Sequence, residues 1–151
     1  MYPNPAYGEW PVFSLSPEAR IERLHRLYAA INVGNLEEAL AFVAPDFIEH
    51  AGGREAVGHA PLIQAWQYTW SRLMKMEMVL CSAQAIGPDL LLVSTEIRAT
   101  TREGQPYRKQ AAHVVQFNAQ GLMSEHWVYP IQQIGPVAWA KGGRYDPQTA
   151  A

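Results

Sequence analysis

The chain has 151 residues, 48% of them hydrophobic, with 12 basic and 14 acidic side chains and a formal charge of −2. That length suits one domain burying about 68–70% of its unfolded surface. With the charges scattered, there is no cationic stripe for nucleic acid, no polybasic segment for an anionic membrane and no apolar run long enough to span a bilayer.

Residues 1 to 14 hold Tyr2, Pro3, Pro5, Tyr7, Trp10, Pro11 and Phe13, too many prolines for a helix and too many aromatics for a free linker. They predict an arm packed across a body of residues 15–133. Basic residues and an apolar core of the signal-peptide kind are missing from this end, which predicts a cytoplasmic protein. Ser16-Pro17-Glu18 then supplies an N-cap, a proline at the first helical position and an early acid. Ile21, Leu24, Tyr28 and Ile31 recur at spacings of three and four, so a first helix runs to Gly34. Asn35 caps a short second helix carrying Leu36, Ala39, Leu40 and Val43, which Pro45 is expected to stop. Asp46 to His50 reads as a short strand, and Gly52 to Gly58 as a glycine-rich loop.

A third helix follows Pro61, with the stripe Ile63, Trp66, Trp70 and Leu73. Beyond it the period changes to two. Strands are predicted over Met76 to Ile86, Leu90 to Thr101, Tyr107 to Phe117 and Leu122 to Gln132, separated by turns at Gly87-Pro88-Asp89, Arg102 to Gly104 and Asn118 to Gly121. The tail, residues 134–151, is rich in Gly and Pro, with Trp139 and Tyr145 as possible docking points. Helices first and a meander afterwards predict an α+β protein whose mostly antiparallel sheet curls around three helices. The lone Cys81 cannot form an internal disulfide and reads as a small buried hydrophobe in a strand.

Gly121-Leu122-Met123-Ser124-Glu125-His126-Trp127-Val128 resembles the last strand, usually ending Gly-Lys-Ile-x-Glu-His-Trp-Asp, of the SnoaL-like polyketide cyclases of the nuclear-transport-factor-2-like superfamily. Ala29 to Gly34 looks like their first-helix ending. Asn35 to Leu40, followed by Ala44-Pro45-Asp46-Phe47, looks like their second helix and strand entry, and Gly58 sits where a glycine precedes helix 3. The resemblance spans about Ala19 to Gln133. It implies a cone-shaped α+β barrel enclosing an apolar pocket, with no cofactor. It also implies a cyclase or isomerase of secondary metabolism that takes a hydrophobic polyketide-like or polycyclic molecule.

The resemblance also assigns positions. His113 falls where the cyclases carry a pocket histidine, Glu49 where they have a polar pocket residue on the first strand, and Val128 where they have the proton-shuttling aspartate. Valine can neither give nor take a proton, and one general acid or base commonly contributes about 10²–10⁴ in rate. The expected catalytic set is therefore His113, Glu49 and His126, with Glu49 and His113 as a dyad. His126 shares a face with Val128 by period two. His50, Trp66, Tyr28 and Val128 are expected to touch substrate. For each there is a bland reading: His113 as a neutral core histidine, Glu49 as a solvated edge carboxylate, His50 on the rim, and Trp66 and Tyr28 as core.

Three histidines and a carboxylate suggest a metal only loosely, since none of the spacings is that of a metal site, and no metal is expected. Two alternatives stay open: a non-catalytic binding or assembly module, favoured by Val128, and an epoxide hydrolase or oxygenase-like enzyme, which requires Glu96 and Arg98 to face inward. Trp127 and Tyr129 alternate with His126 and Val128, so they are expected to face outward and to suit a homodimer.

Overall fold

A computed structural model describes residues 15–134, and in it three helices lie against one six-stranded sheet. Helix α1 (Pro17–Asn32) begins where the Ser16 hydroxyl accepts from the Ala19 amide at 3.1 Å, with Pro17 in the first turn. Asn35 likewise accepts from the Glu38 amide and opens the short helix α2 (Leu36–Leu40). Strands β1 (Val43–Ala51) and β2 (Arg54–Val57) follow, then helix α3 (His59–Arg72). The meander is β3 (Leu73–Ala85), β4 (Leu90–Thr101), β5 (Pro106–Phe117) and β6 (Met123–Ile134). The order across the sheet is β2-β1-β6-β5-β4-β3, antiparallel throughout except for the parallel pair β1 and β6. The α+β expectation holds.

Three local expectations do not. Pro45 stops no helix; it lies inside β1, where the register against β6 shifts between Val43 and Ile48, and such an irregularity tolerates a missing N–H. The predicted glycine-rich loop is a hairpin. Gly52 and Gly53 have φ of 58° and 75°, which a two-residue turn of the primed type demands, and they return the chain as β2 with Ala51 opposite Arg54. Cys81 is exposed rather than buried, at a point of β3 where its register against β4 shifts. The expected arm, residues 1–14, and the tail beyond 134 lie outside the described residues.

The core joins Leu24, Leu27 and Ile31 of α1 and Leu62 of α3 to Phe47, Val93 and Val115 of the sheet. Each such side chain, fully buried, stabilises by about 1.5–3 kcal/mol. Polar side chains then fix the helices on the sheet. Asn32, in the last turn of α1, accepts from the Met78 amide at 2.7 Å and donates to the Met78 carbonyl at 3.1 Å, acting as a short extra strand against β3. Arg20 is buried and reaches the Gly87 and Leu90 carbonyls, while Arg23 reaches the Gly121 carbonyl at 2.9 Å. One helix face thus holds the β3–β4 and β5–β6 turns. At its far end, the Trp70 indole of α3 donates to the Ile31 carbonyl at 3.0 Å.

Candidate active site

Alternation along β5 turns Tyr107, Lys109, Ala111, His113, Val115 and Phe117 to the inner, buried face. His113 stands opposite Val93 on one side and Val128 on the other. On β6, His126 and Val128 share that face, and the parallel pairing sets Glu49 of β1 opposite His126 and Ala51 opposite Val128. On β4, Leu91, Val93 and Thr95 are the buried alternates. Four strands thereby converge on one line of polar groups.

In that line the Thr95 hydroxyl is 2.7 Å from His113 Nε2, and His113 Nδ1 is 2.6 Å from His126 Nε2. His126 Nδ1 lies 3.4 Å from Glu49 Oε2, ion-pair range but long for a hydrogen bond. The two imidazoles are nearly parallel, with ring centres 4.8 Å apart, as befits rings meeting edge to edge through a shared proton. The side chains of His126 and Glu49 are 12% and 10% exposed, whereas Thr95 and His113 are 4% and 2% exposed as residues, so the histidine–carboxylate end is the less buried one.

Burial drives the His113 pKa well below the usual imidazole range, because a buried ring loses hydration when charged, and the positive fields of His126 and Lys109 push the same way. His113 is therefore a neutral imidazole at physiological pH. Its two nitrogens have opposite roles, one donating and one accepting. Val128 packs with Ala51 and Ala111 in a small apolar cluster beside it.

The structure brings His113, His126 and Glu49 together and places Val128 among them. The expected dyad is changed in form: Glu49 joins the cluster through His126. Sequence reasoning missed Thr95, although period two from Leu91 and Val93 would have placed it on this face.

His50 goes elsewhere. As the neighbour of Glu49 in a strand it must point to the opposite face, and there it stacks on Trp127 with ring centres 5.1 Å apart. Its Nε2 is 2.6 Å from Glu125 and its Nδ1 is 3.6 Å from Glu55. His50, Glu55 and Trp127 border an outer hollow of about 510 Å³ that also includes Gly52, Gly53 and Tyr129. Tyr28 sits in the main core, where desolvation raises its phenol pKa, and Trp66 packs against the same core beside Trp70.

The condition for epoxide opening is not met. Thr95 points inward, so Glu96 and Arg98 lie on the outer face, where Glu96 takes hydrogen bonds from Arg98, from Arg108 at 2.7 Å and from Gln110 at 3.0 Å. Those donors, Arg98 first, hold the carboxyl at a pKa of about 2. No cluster of three or more His, Cys, Asp or Glu fit for a metal exists among the described residues. Among the described residues no helix is long and apolar enough to cross a membrane.

Comparison with known proteins agrees with this architecture. The model of the SnoaL-like domain matches residues 24–126. Among solved structures, AclR from Streptomyces galilaeus, a candidate hydroxylase, superposes with a TM-score of 0.70 at 17% identity, covering 86% of this chain and 100% of its own. IdmH from Streptomyces antibioticus, a candidate polyketide cyclase, gives a TM-score of 0.65 at 22% identity over 74% of this chain and 91% of its own. An NTF2-like protein of unknown function from Exiguobacterium sp. 255-15 gives 0.65 at 10% identity, with 73% and 98% covered. No curated protein matches. At such identities the structures share a fold, and the family follows from the domain match, which takes in more than half of the sequence and both histidines of the inner cluster: the chain belongs to the SnoaL-like domain family.

Proposed function

We propose that this protein is a cofactor-independent acid–base enzyme, a cyclase or isomerase, acting on a hydrophobic polyketide-like or polycyclic small molecule of secondary metabolism. The observation that carries the reading is the continuous line Thr95, His113, His126 and Glu49 on the buried face of the sheet. Glu49, at the less buried end, takes a proton from a carbon next to a carbonyl. His126 orients the carboxylate, which then delivers the same proton to the substrate oxygen. His113, held neutral, supports His126 from behind. Val128, Ala51 and Ala111 offer an apolar wall, with Trp66 and Tyr28 on the helix side. Holding a flexible chain in a reactive geometry adds to the rate without any charged group, and that contribution survives the loss of the aspartate.

The outer face, which exposes Leu92, Tyr129 and Ile131, suits a homodimer, and a cytoplasmic location fits this chemistry. Val128 favours a second reading, a module that binds such molecules without turning them over. Deuterium exchange separates the two. Hydrophobic β-diketones incubated with the protein in D2O should exchange their acidic C–H faster than in buffer, and Glu49→Gln and His126→Ala should each remove about 10²-fold or more of the acceleration. Binding of the same diketones without acceleration would establish the binding module and end the enzyme proposal.

A further inference from the structure

We propose that Thr95 is a positioning residue whose hydroxyl, by donating to His113 Nε2, holds the line of facing polar groups from His113 to Glu49 in one direction. The two facing nitrogens of His113 and His126, 2.6 Å apart, have room for one hydrogen between them, so one ring must donate and the other accept. Two directions are possible. In the first, the Thr95 hydroxyl donates to His113 Nε2, His113 Nδ1–H donates to His126 Nε2, and His126 Nδ1–H faces the Glu49 carboxylate. Both rings are neutral, and every facing pair joins a donor to an acceptor.

In the reverse direction, His113 Nε2–H donates to Thr95 and His126 Nε2–H donates to His113. The bare Nδ1 of His126 then confronts a carboxylate oxygen 3.4 Å away, lone pair against anion. That arrangement needs one more proton, on His126 or on Glu49. The first direction is therefore the proton-poor, base-ready one: the Glu49 carboxylate selects it, and the Thr95 hydroxyl, able to donate or accept, completes it by donating to His113 Nε2. For catalysis the inference rests on the acid–base reading above: a chain running from Thr95 keeps His126 as donor and Glu49 as the proton acceptor.

The charged and titratable groups around His113 are His126 on β6, Glu49 on β1 and Lys109 on its own strand, with the Tyr28 phenol of α1 in the adjoining core. The test is imidazole nitrogen NMR of the full chain at neutral pH, which needs no substrate. Wild type should show both rings protonated at Nδ1, with His113 Nε2 a bare, hydrogen-bonded nitrogen. Thr95→Ser should keep that pattern, and Thr95→Val should move the His113 Nε2 resonance to that of an unbonded nitrogen or mix the two tautomers.

In the diketone exchange assay, Thr95→Val should lower the maximal rate by about 10- to 100-fold with half-saturation unchanged, and Thr95→Ser should restore it, as expected when the partner that orients a histidine is lost. A wild-type His113 protonated at Nε2, or a Thr95→Val spectrum identical to wild type, overturns the proposal. The two claims fail separately. Correct tautomers in a protein inert toward diketones would sink the enzyme reading alone, while accelerated exchange with the wrong tautomer would sink the role of Thr95 alone.

Discussion

His113 shows how much one side chain gains in meaning from its burial. An unfolded chain protonates this imidazole near its ordinary value of about 6.5, whereas the folded protein, its pKa pushed down mainly by desolvation, does not. Below that pH the unfolded state binds the extra proton, so stability rises with pH up to about 7 and is lost progressively as pH falls below about 6.5. Urea unfolding of wild type at pH 7.5 and pH 5.5 should show this loss, and His113→Phe should flatten the slope between the two. Val128 raises the converse question. Val128→Asp would set a carboxylate against Ala51, Ala111 and a neutral histidine, which should cost about 3 kcal/mol in chemical denaturation and give an acid with a raised pKa. The same variant should speed diketone exchange, since it restores a proton acceptor opposite His113; slower exchange would show that the apolar wall is itself required.

At the scale of elements, the chain is readable wherever a local signal decides the outcome. Ser16-Pro17 and Asn35 name their helix starts, and the long strands alternate so clearly that the outward turn of Trp127 and the inward turn of His126 follow from counting. Two features escaped because they depend on partners. The β2 strand is four residues long and has no periodicity of its own; it exists because Gly52 and Gly53 fold it back on β1. The Glu49–His126 contact arises from a parallel pairing between the first strand and the last, which no spacing in sequence encodes. Asn32 belongs to the same class, since its two bonds to Met78 span 46 positions in sequence. Asn32→Ala leaves two Met78 backbone groups without their partner and should destabilise by about 1–3 kcal/mol in guanidinium unfolding, with exchange of the Met78 amide accelerated.

Across the whole molecule the sheet separates two chemistries. Its inner face holds the imidazoles of His113 and His126 and the Glu49 carboxylate, and its outer face carries the Glu96, Arg98, Arg108 and Gln110 group and the exposed Tyr129. The Glu96 carboxyl titrates near 2 when folded and near 4.5 when unfolded, so its stabilisation is present above about 4.5 and disappears as pH falls toward about 2. Glu96→Gln should therefore make unfolding less steeply dependent on pH across that range. If the outer face is a dimer interface, sedimentation should give a mass near twice that of the chain, and Tyr129→Glu should halve it.

Helix α1 is fastened to this sheet by Arg20, Arg23 and Asn32, and α3 to α1 by Trp70, each donating to a main-chain carbonyl. None of these donors loses its proton, and none of these acceptors gains one, anywhere between mild acid and mild alkali. The seam is thus indifferent to the acidity that rearranges hydrogens a few ångströms away, so the interior can be driven through its protonation states while its roof stays in place.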